Sequence, residues 1–520
     1  MRGANGSSKP MRADMKLLST ALFLWLAASV PAQSDKANDA ALLADFPKYM
    51  KSKSAAERVG QVEALAFVDG PEATRLLISL GLTDKDARVA RRAAWALSRK
   101  ESPAAIKALI DEGLTHRNAR VRIGVARALQ RRADGQGLKE LAALIPKERN
   151  GPAKAAYLEA LAAHESSLGN EAALASLETR DLPVLLAALD ALGASGDVKV
   201  APRIGKLLRH KDWKVKSAAL AALGRLRARS SIPVLIDFMA GTRGRLLGDA
   251  RAALMAITGN QYGSKAEVWQ RWWDRVKDGW QVPETLPQKK ADLAGYDTGG
   301  QTPDYYRIKT TSERVLYVLD LSASMNQFIR YQPRAKGGRK ASRWVSTKRI
   351  RLAKKELIRV LKKLKKNTSF DIVAFDATVQ PFRPRLVPAT PGNISSAVRW
   401  VEELQPWTEG GAYTKEGWQR GETNLFAAIK WIFGIKGKGI HFTGKLKPLA
   451  DTVFLLADGE PTCGELIVPD EILAVLEEYH EVSRVTIHTI SFDLIGIGRQ
   501  FLVDVARITG GTFVELGAKR

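Results

Sequence analysis

The sequence predicts a multidomain protein in which an α-solenoid is followed by an α/β domain with a doubly wound, mostly parallel sheet. Between residues 40 and 259, a helical pattern rich in Ala, Leu and Arg recurs with a period of about 31 residues. After residue 313, short apolar runs alternate with amphipathic helical patterns. The chain of 520 residues is also too long for one ordinary hydrophobic core.

Residues 1–32 are predicted to be a signal peptide. A basic start is followed by the apolar stretch Leu17–Val30, which is too short to span a bilayer comfortably. Val30, Pro31 and Ala32 then offer small residues for cleavage. An uncleaved membrane anchor is the alternative, and no other segment has transmembrane length. We therefore expect a secreted or periplasmic protein of the cell envelope.

The predicted solenoid occupies residues 33–282 and is built from similar segments. The clearest copies are Asp86–Leu97, Asn118–Leu129 and Asp212–Leu223. Each copy begins with Asp or Asn, residues that favour the N-cap of a helix. A helical pattern inside such a repeat indicates stacked helix pairs. The pattern resembles HEAT repeats, and this resemblance implies a binding surface without catalytic residues of its own.

A basic residue recurs at one position of the repeat, as Arg88, Arg120 and Lys214. These side chains could form a basic ridge that contacts a partner, which would make the solenoid an interaction surface. The simpler interpretation is a solvated face of each helix, and the sequence favours it.

Residues 283–312 contain prolines, a Gly-Gly pair and few apolar residues, so we predict a linker there. The α/β domain is predicted over residues 313–520. Its strands and helices alternate, which implies a parallel sheet with helices on both faces. The predicted strands are Arg314–Leu321, Phe370–Phe375, Asp451–Ala457, Arg484–Ser491 and Gly511–Leu516, and the predicted helices are Ser346–Lys365, Asn393–Leu404, Leu425–Phe433, Asp470–Val482 and Gly498–Thr509.

Polar side chains follow two of the predicted strands and precede one of the helices. Asp320, Ser322 and Ser324 come at the end of the first strand, and Asp458 follows the third. Thr423 lies just before the helix that begins at residue 425. Open α/β sheets bind ligands at the carboxyl ends of their strands. Carboxylate and hydroxyl oxygens suit Mg²⁺, Ca²⁺ or Mn²⁺ rather than zinc.

These five residues occur in the order used by the metal-ion-dependent adhesion site (MIDAS) of von Willebrand factor A (vWA) domains, which the chain resembles over residues 313–520. The resemblance implies that Ser322 and Ser324 coordinate the ion directly, and that Thr423 does so directly or through water. It implies that Asp320 and Asp458 hold bound waters and balance the charge. Mg²⁺ is the expected ion because it prefers octahedral geometry and keeps waters. A partner carboxylate would complete its coordination.

Two long segments should flank this site. Residues 326–346 are strongly basic, and Gln405–Gly421 carries aromatic residues and glycines. Arg330–Lys366 contains sixteen Lys or Arg and one acidic residue, so it contributes most of the net charge of +26. Because export argues against a genomic partner, we expect a protein or an acidic envelope polymer rather than nucleic acid. The basic loop should speed the association of acidic partners.

The expected function is binding rather than catalysis. The six histidines are scattered and do not indicate a Ser-His-Asp or Cys-His arrangement. Cys463 is the single cysteine and is interpreted as a small buried side chain. The competing interpretations are a metal-dependent hydrolase of the cell envelope, with Glu460 or Glu465 as general base, and a structural scaffold with an empty metal site.

Overall fold

The computed structural model describes residues 36–285, 304–332, 344–407, 412–435, 446–493 and 496–517. The predicted signal peptide and most of the predicted linker lie outside the described residues, and so do five basic residues of the expected loop, Arg334, Lys336, Arg339, Lys340 and Arg343. None of the helices in the described ranges has the length and apolar character needed to cross a membrane.

The first part of the chain folds into stacked helices in two layers. The helices of even number from α2 to α14 pack one on the next, and those of odd number form much of the other layer. Buried Leu, Val and Ala side chains join the layers into one continuous core. This confirms the predicted α-solenoid. The helices are α1 Lys36–Tyr49, α2 Ala55–Ala66, α3 Pro71–Leu76, α4 Ala87–Ser98, α5 Pro103–Ala108, α6 Ala119–Gln130, α7 Leu138–Leu144, α8 Gly151–Ala163, α9 Asn170–Ser176, α10 Leu182–Ala194, α11 Ala201–Lys206, α12 Trp213–Leu226, α13 Ser231–Ala240, α14 Arg245–Thr258 and α15 Ala266–Val276.

The repeated sequence positions have repeated structural roles. Asp86, Asn118 and Asp212 are N-caps whose side chains accept a hydrogen bond from the backbone N–H two residues later. A valine recurs three residues after each of these caps and lies in the core, as Val89, Val121 and Val215. Capping satisfies a helix-end N–H that would otherwise be unpaired, so the Asp or Asn starts the helix and the valine anchors it.

The second part of the chain is an α/β domain with a central sheet. The strand order is β5-β4-β1-β7-β8-β9, with β6 also paired to β4. Strands β4, β1, β7, β8 and β9 are parallel, and β5 and β6 are antiparallel to β4. This confirms the doubly wound, mostly parallel sheet. The elements are β1 Arg314–Asp320, β2 Phe328–Tyr331, β3 Val345–Lys348, α16 Arg349–Leu361, β4 Ser369–Phe375, β5 Val379–Pro381, β6 Val387–Pro388, α17 Pro391–Glu403, α18 Leu425–Ile432, β7 Thr452–Leu456, α19 Pro469–Ser483, β8 Thr486–Phe492, α20 Gly496–Ile508 and β9 Phe513–Leu516.

Strand β1 lies at the centre of this sheet and is buried on both faces. Val315, Tyr317 and Leu319 belong to the core under α16 and α17. Leu316 and Val318 belong to the core under α18, α19 and α20. Alternate side chains of a strand point to opposite faces, so an unbroken apolar run is what a doubly covered strand needs.

The predicted helix Ser346–Lys365 begins later than expected, which is a correction to the sequence analysis. Residues 345–348 form β3, which pairs antiparallel with β2, and the helix begins at Arg349. The segment alternates Val, Ser, Thr and Lys, so it suits an extended strand once a partner strand is available. The partner strand, β2, is separated from β3 in the sequence by residues 332–344. The helical pattern alone did not indicate this pairing.

The described end of the predicted linker is packed against the sheet. Tyr305 and Tyr306 are buried, and Tyr305 contacts the rings of Tyr317 and Phe454 at centroid distances of 5.3 and 5.4 Å. Residues 304–312 therefore add aromatic side chains to the core of the α/β domain.

Helix α19 of the α/β domain lies against the solenoid. Glu478 of α19 accepts hydrogen bonds from Arg91 of α4, with Nε–Oε1 at 3.0 Å, and from Arg127 of α6, with Nη1–Oε1 at 2.6 Å. Arg484, just after α19, pairs with Asp190 of α10. These ion pairs fix one face of the solenoid to the α/β domain.

The basic positions singled out in the repeats are not the ones that make this contact. Arg88 pairs with Asp86 and Lys214 lies 4.0 Å from Asp212, so both are near the N-cap carboxylate of their own helix. Arg120 is exposed. The basic residues that pair with Glu478, Arg91 and Arg127, lie three and seven residues further along their helices than Arg88 and Arg120.

Candidate metal centre

The candidate site lies at the carboxyl edge of the sheet, where β1 and β7 are neighbours. Asp320 is the last residue of β1, and Asp458 follows β7 by two residues. Because the two strands are parallel and adjacent, both carboxylates reach the same edge. Asp320 is fully buried and Asp458 is buried to 4% exposure, so the pair is withdrawn from water.

The turn after β1 brings its two serine hydroxyls to Asp458. Ser322 Oγ and Ser324 Oγ are 2.9 Å apart, and Ser324 Oγ donates to Asp458 Oδ1 at 2.6 Å. Ser322 Oγ lies 3.4 Å from the same oxygen. Asp320 holds the turn, since its Oδ1 accepts from the backbone N–H of Ser322 at 2.7 Å. Four of the five predicted ligands therefore form one hydrogen-bonded cluster.

Thr423, the fifth predicted ligand, lies beside this cluster. Its backbone N–H donates to Thr462 Oγ1 at 2.8 Å, and its carbonyl accepts from the N–H of Thr462 at 3.0 Å. These bonds tie it to the loop that carries Asp458. A Cβ placed on Gly459 would lie 3.6 Å from Thr423 Oγ1 and 3.8 Å from Ser324 Oγ, so both hydroxyls border that glycine.

The loop before Thr423 is attached to the turn after β1. The carbonyl of Gly421, a residue with a φ of +96°, accepts from the N–H of Ala323 at 2.9 Å. Arg420 pairs with the buried Asp376 at 2.5 Å, and its guanidinium lies 4.5 Å from the centre of the Trp407 ring. The described part of Gln405–Gly421 thus forms one wall of the site, as the sequence predicted for this segment.

The two carboxylates are costly to keep ionised without a cation. Burial raises the pKa of Asp320, and the nearby charge of Asp458 raises it further. Burial also raises the pKa of Asp458, although the hydrogen bond from Ser324 and the charge of Arg349 oppose this. A bound divalent ion would offset the repulsion between the two carboxylates.

Arg349 is a residue of the site that the sequence analysis missed. Its Nη1 lies 3.0 Å from Asp458 Oδ2, and its side chain is 12% exposed. The sequence places it among many basic residues and within a predicted helix that starts earlier. Only the later start of α16, after β3, brings Arg349 to the edge of the sheet.

The donor set fits a hard divalent cation. It consists of oxygen atoms, from two serines, one threonine and two aspartates, gathered at one edge of the sheet. Within the described ranges no group of three or more His, Cys, Asp or Glu side chains is arranged to hold a metal ion. A cation here would therefore depend on the hydroxyl groups.

Comparison with known proteins assigns both parts of the chain. The family model for HEAT repeats matches residues 75–162 and 170–255, and the model for the von Willebrand factor type A domain matches residues 342–514. Thr423 and Asp458 lie inside the second match, and Asp320, Ser322 and Ser324 precede it.

Similar proteins share only a part of this chain. It is 28% identical over 154 residues to inter-alpha-trypsin inhibitor heavy chain H1 of Mesocricetus auratus, which covers 30% of this chain and 13% of that protein. It is 25% identical over 167 residues to von Willebrand factor A domain-containing protein 3B of Homo sapiens, which covers 32% of this chain and 10% of that protein. A solved von Willebrand factor type A structure from Catenulispora acidiphila aligns at a TM-score of 0.27 with 17% identity, over 40% of each chain. The chain thus spans about a tenth of the length of these curated relatives. By the two family matches and the fold, this chain combines HEAT repeats with a von Willebrand factor type A domain.

Proposed function

We propose that this protein is an extracytoplasmic binding protein whose vWA domain engages an acidic group of a macromolecular partner through a divalent cation. The observation that carries the proposal is the cluster of Asp320, Ser322, Ser324 and Asp458, with Thr423 beside it. Their oxygens meet at the carboxyl edge of the sheet, where α/β folds bind ligands. Domains of the vWA family commonly bind a divalent metal ion.

Each residue of the cluster has a role in this proposal. Ser322 and Ser324 would bind the ion through their hydroxyls, with Thr423 joining directly or through water. Asp320 and Asp458 would balance the charge and hold bound waters. Mg²⁺ fits best because two carboxylates and neutral hydroxyls leave room for waters in an octahedral shell, with Ca²⁺ or Mn²⁺ as alternatives. The bound cation would supply an open position that accepts a carboxylate.

Binding is favoured over hydrolysis because the candidate bases are engaged elsewhere. Glu460 accepts a hydrogen bond from the N–H of Gly498 at 3.0 Å, and Glu465 pairs with Lys430 at 2.7 Å. Cys463 is buried, and burial raises the pKa of its thiol to about 12, so it carries no reactive thiolate at neutral pH. These contacts leave neither glutamate poised as a general base.

The HEAT solenoid would provide a second interaction surface. The face that bears Arg91, Arg127 and Asp190 is occupied by α19, so a partner would use the remaining faces. The predicted signal peptide supports a location in the cell envelope or outside the cell. N-terminal sequencing of the mature protein tests this location, and a mature chain that retains residues 1–32 would contradict cleavage.

Capture from an envelope fraction tests the binding function. The immobilised full chain should retain a partner in Mg²⁺ and release it in EDTA. Ser324→Ala should lose this retention because it removes a hydroxyl of the cluster. Ser395→Ala is the matched control, since Ser395 is exposed on α17. Retention that is equal in Mg²⁺ and in EDTA, or unaffected by Ser324→Ala, would contradict the proposal.

A further inference from the structure

Arg349 is the first residue of α16, and its side chain reaches the candidate metal centre. Its backbone N–H donates to the carbonyl of Gln327 at 2.9 Å, which fixes the first turn of the helix beside the serine turn. From there its guanidinium reaches Asp458, with Nη1–Oδ2 at 3.0 Å. The Asp458 side chain has no exposed surface, so this ion pair lies at the protected side of the site.

The guanidinium is held by little else in the described part of the chain. Among the described residues, the Arg349 side chain donates a hydrogen bond to Asp458, and its buried Nε has no hydrogen-bond partner there. Other arginines of α16 differ: Arg351 is exposed, and Arg359 pairs with Glu356 at 2.7 Å. Arg349 is therefore directed at the cluster by its position and is bound there through one carboxylate oxygen.

We propose that Arg349 is a tethered counter-cation of the metal site, which neutralises Asp458 when no ion is bound and opposes the binding of a divalent cation. This inference rests on the proposed function. A guanidinium stays charged under physiological conditions and therefore repels an ion bound at the same carboxylate. Repulsion between charges a few ångströms apart is strong where water is excluded.

The charge of Arg349 also makes the ion-loaded site attract acidic groups. The two aspartates outweigh the one arginine by a single charge, so a divalent ion leaves the site with one net positive charge. Without Arg349 the same site would be neutral after binding the ion. A carboxylate of the partner restores neutrality only when Arg349 is present, so the ion and the acidic group should strengthen each other's binding.

Calorimetric titration of the full chain with Mn²⁺ and with Mg²⁺ tests the counter-cation. Arg349→Gln and Arg349→Met remove the charge, and each should bind the ions about tenfold tighter than the wild type, or more. Arg349→Lys keeps the charge and should stay close to the wild type. Arg351→Gln removes an exposed charge from the same helix and should also stay close to it.

Thermal unfolding in EDTA supplies a second readout. Both neutral variants should melt at a lower temperature than the wild type because the two aspartates lose their counter-charge, and Mg²⁺ should raise their melting temperature more than it raises that of the wild type. If both neutral variants bind the ions as tightly as the wild type or more weakly, the proposed role of Arg349 is wrong, whereas the proposed function is unaffected. Binding by Arg349→Lys that is as tight as that of Arg349→Gln would also overturn the proposed role of Arg349. Absence of ion binding in the wild type and in every variant would overturn both proposals.

Discussion

At the scale of single residues, the site depends on two buried carboxylates, those of Asp320 and Asp458, whose pKa values are raised by burial. The sequence predicted that Asp320 and Asp458 meet because both follow apolar runs of a parallel sheet. It could not predict Arg349, because its approach depends on where α16 begins. Many basic residues lie close to Arg349 in the sequence, and the sequence pattern does not show which of their side chains contacts Asp458.

The response of thermal stability to Mg²⁺ checks the role of the carboxylates. An ion that binds only the folded state stabilises it by about 2.7 kcal/mol at a hundred times its Kd. Millimolar Mg²⁺ should therefore raise the melting temperature of the full chain. Asp320→Ala should abolish this rise because the ion loses one balancing charge. The metal hypothesis is wrong if Mg²⁺, Ca²⁺ and Mn²⁺ all leave the wild-type melting temperature unchanged.

Asp371, on β4 and away from the site, should make stability depend on pH. Burial raises its pKa to about 7, against hydrogen bonds from the backbone of Ile372 and Arg383, and its Oδ2 has no hydrogen-bond partner among the described residues. Folding therefore favours the protonated carboxyl. The contribution of Asp371 to stability is full below its unfolded pKa of about 4 and is lost as the pH rises through about 7.

Replacement of this carboxyl removes the part of the pH dependence that Asp371 contributes. In chemical unfolding between pH 5 and pH 8, Asp371→Asn should gain stability relative to the wild type as the pH rises. Asp237→Asn changes an exposed aspartate of α13 and serves as the control. A constant difference between Asp371→Asn and the wild type over this range would refute the raised pKa.

At the scale of elements, the apolar patterns predicted the main strands and helices well. The elements that were missed depend on contacts between segments, which a pattern within one segment does not show. Strand β1 was predicted as Arg314–Leu321 and runs from Arg314 to Asp320. The hairpin of β2 and β3 was not predicted, because its two short strands are separated by a long basic segment. Tyr305 and Tyr306 were assigned to a linker by the prolines and glycines around them, although their aromatic rings belong to the core of the sheet domain.

Truncation within α6 tests the repeat core. Leu129 is fully buried between neighbouring helices of the solenoid. Leu129→Ala should lower the free energy of unfolding by roughly 2–5 kcal/mol, because it loses apolar contacts and leaves a cavity. Leu168→Ala changes a leucine that is 52% exposed and should cost much less. Equal losses in chemical unfolding would contradict the assignment of Leu129 to the core.

At the scale of the whole molecule, the solenoid and the vWA domain are joined by partly buried ion pairs. Burial alone would raise the pKa of Glu478, but Arg127 and Arg91 hold it below its usual range. Arg91 lies 387 positions before Glu478 in the sequence, and Arg127 lies 351 positions before it. Sequence patterns cannot predict such a contact, because each charged residue resembles its solvated neighbours on the same helix.

Removal of one partner should weaken this contact strongly. Glu478→Gln leaves Arg91 and Arg127 without their shared carboxylate. Breaking a fully buried pair costs about 3–5 kcal/mol, and this partly buried one should cost less. Limited proteolysis and thermal unfolding should report a less stable docking of the two domains. Glu477→Gln changes the exposed neighbour on α19 and should behave like the wild type. Unchanged protection in Glu478→Gln would show that the ion pairs do not hold the domains together.

The most direct test of the metal site is anomalous diffraction from crystals of the full chain grown with Mn²⁺. The proposal predicts an anomalous peak within coordination distance of the Ser322 and Ser324 hydroxyls, bordered by Thr423 and Asp458. No peak should occur at that position in crystals of Ser324→Ala grown in the same way. A wild-type map without a peak there, with Arg349 still paired to Asp458, would contradict the account.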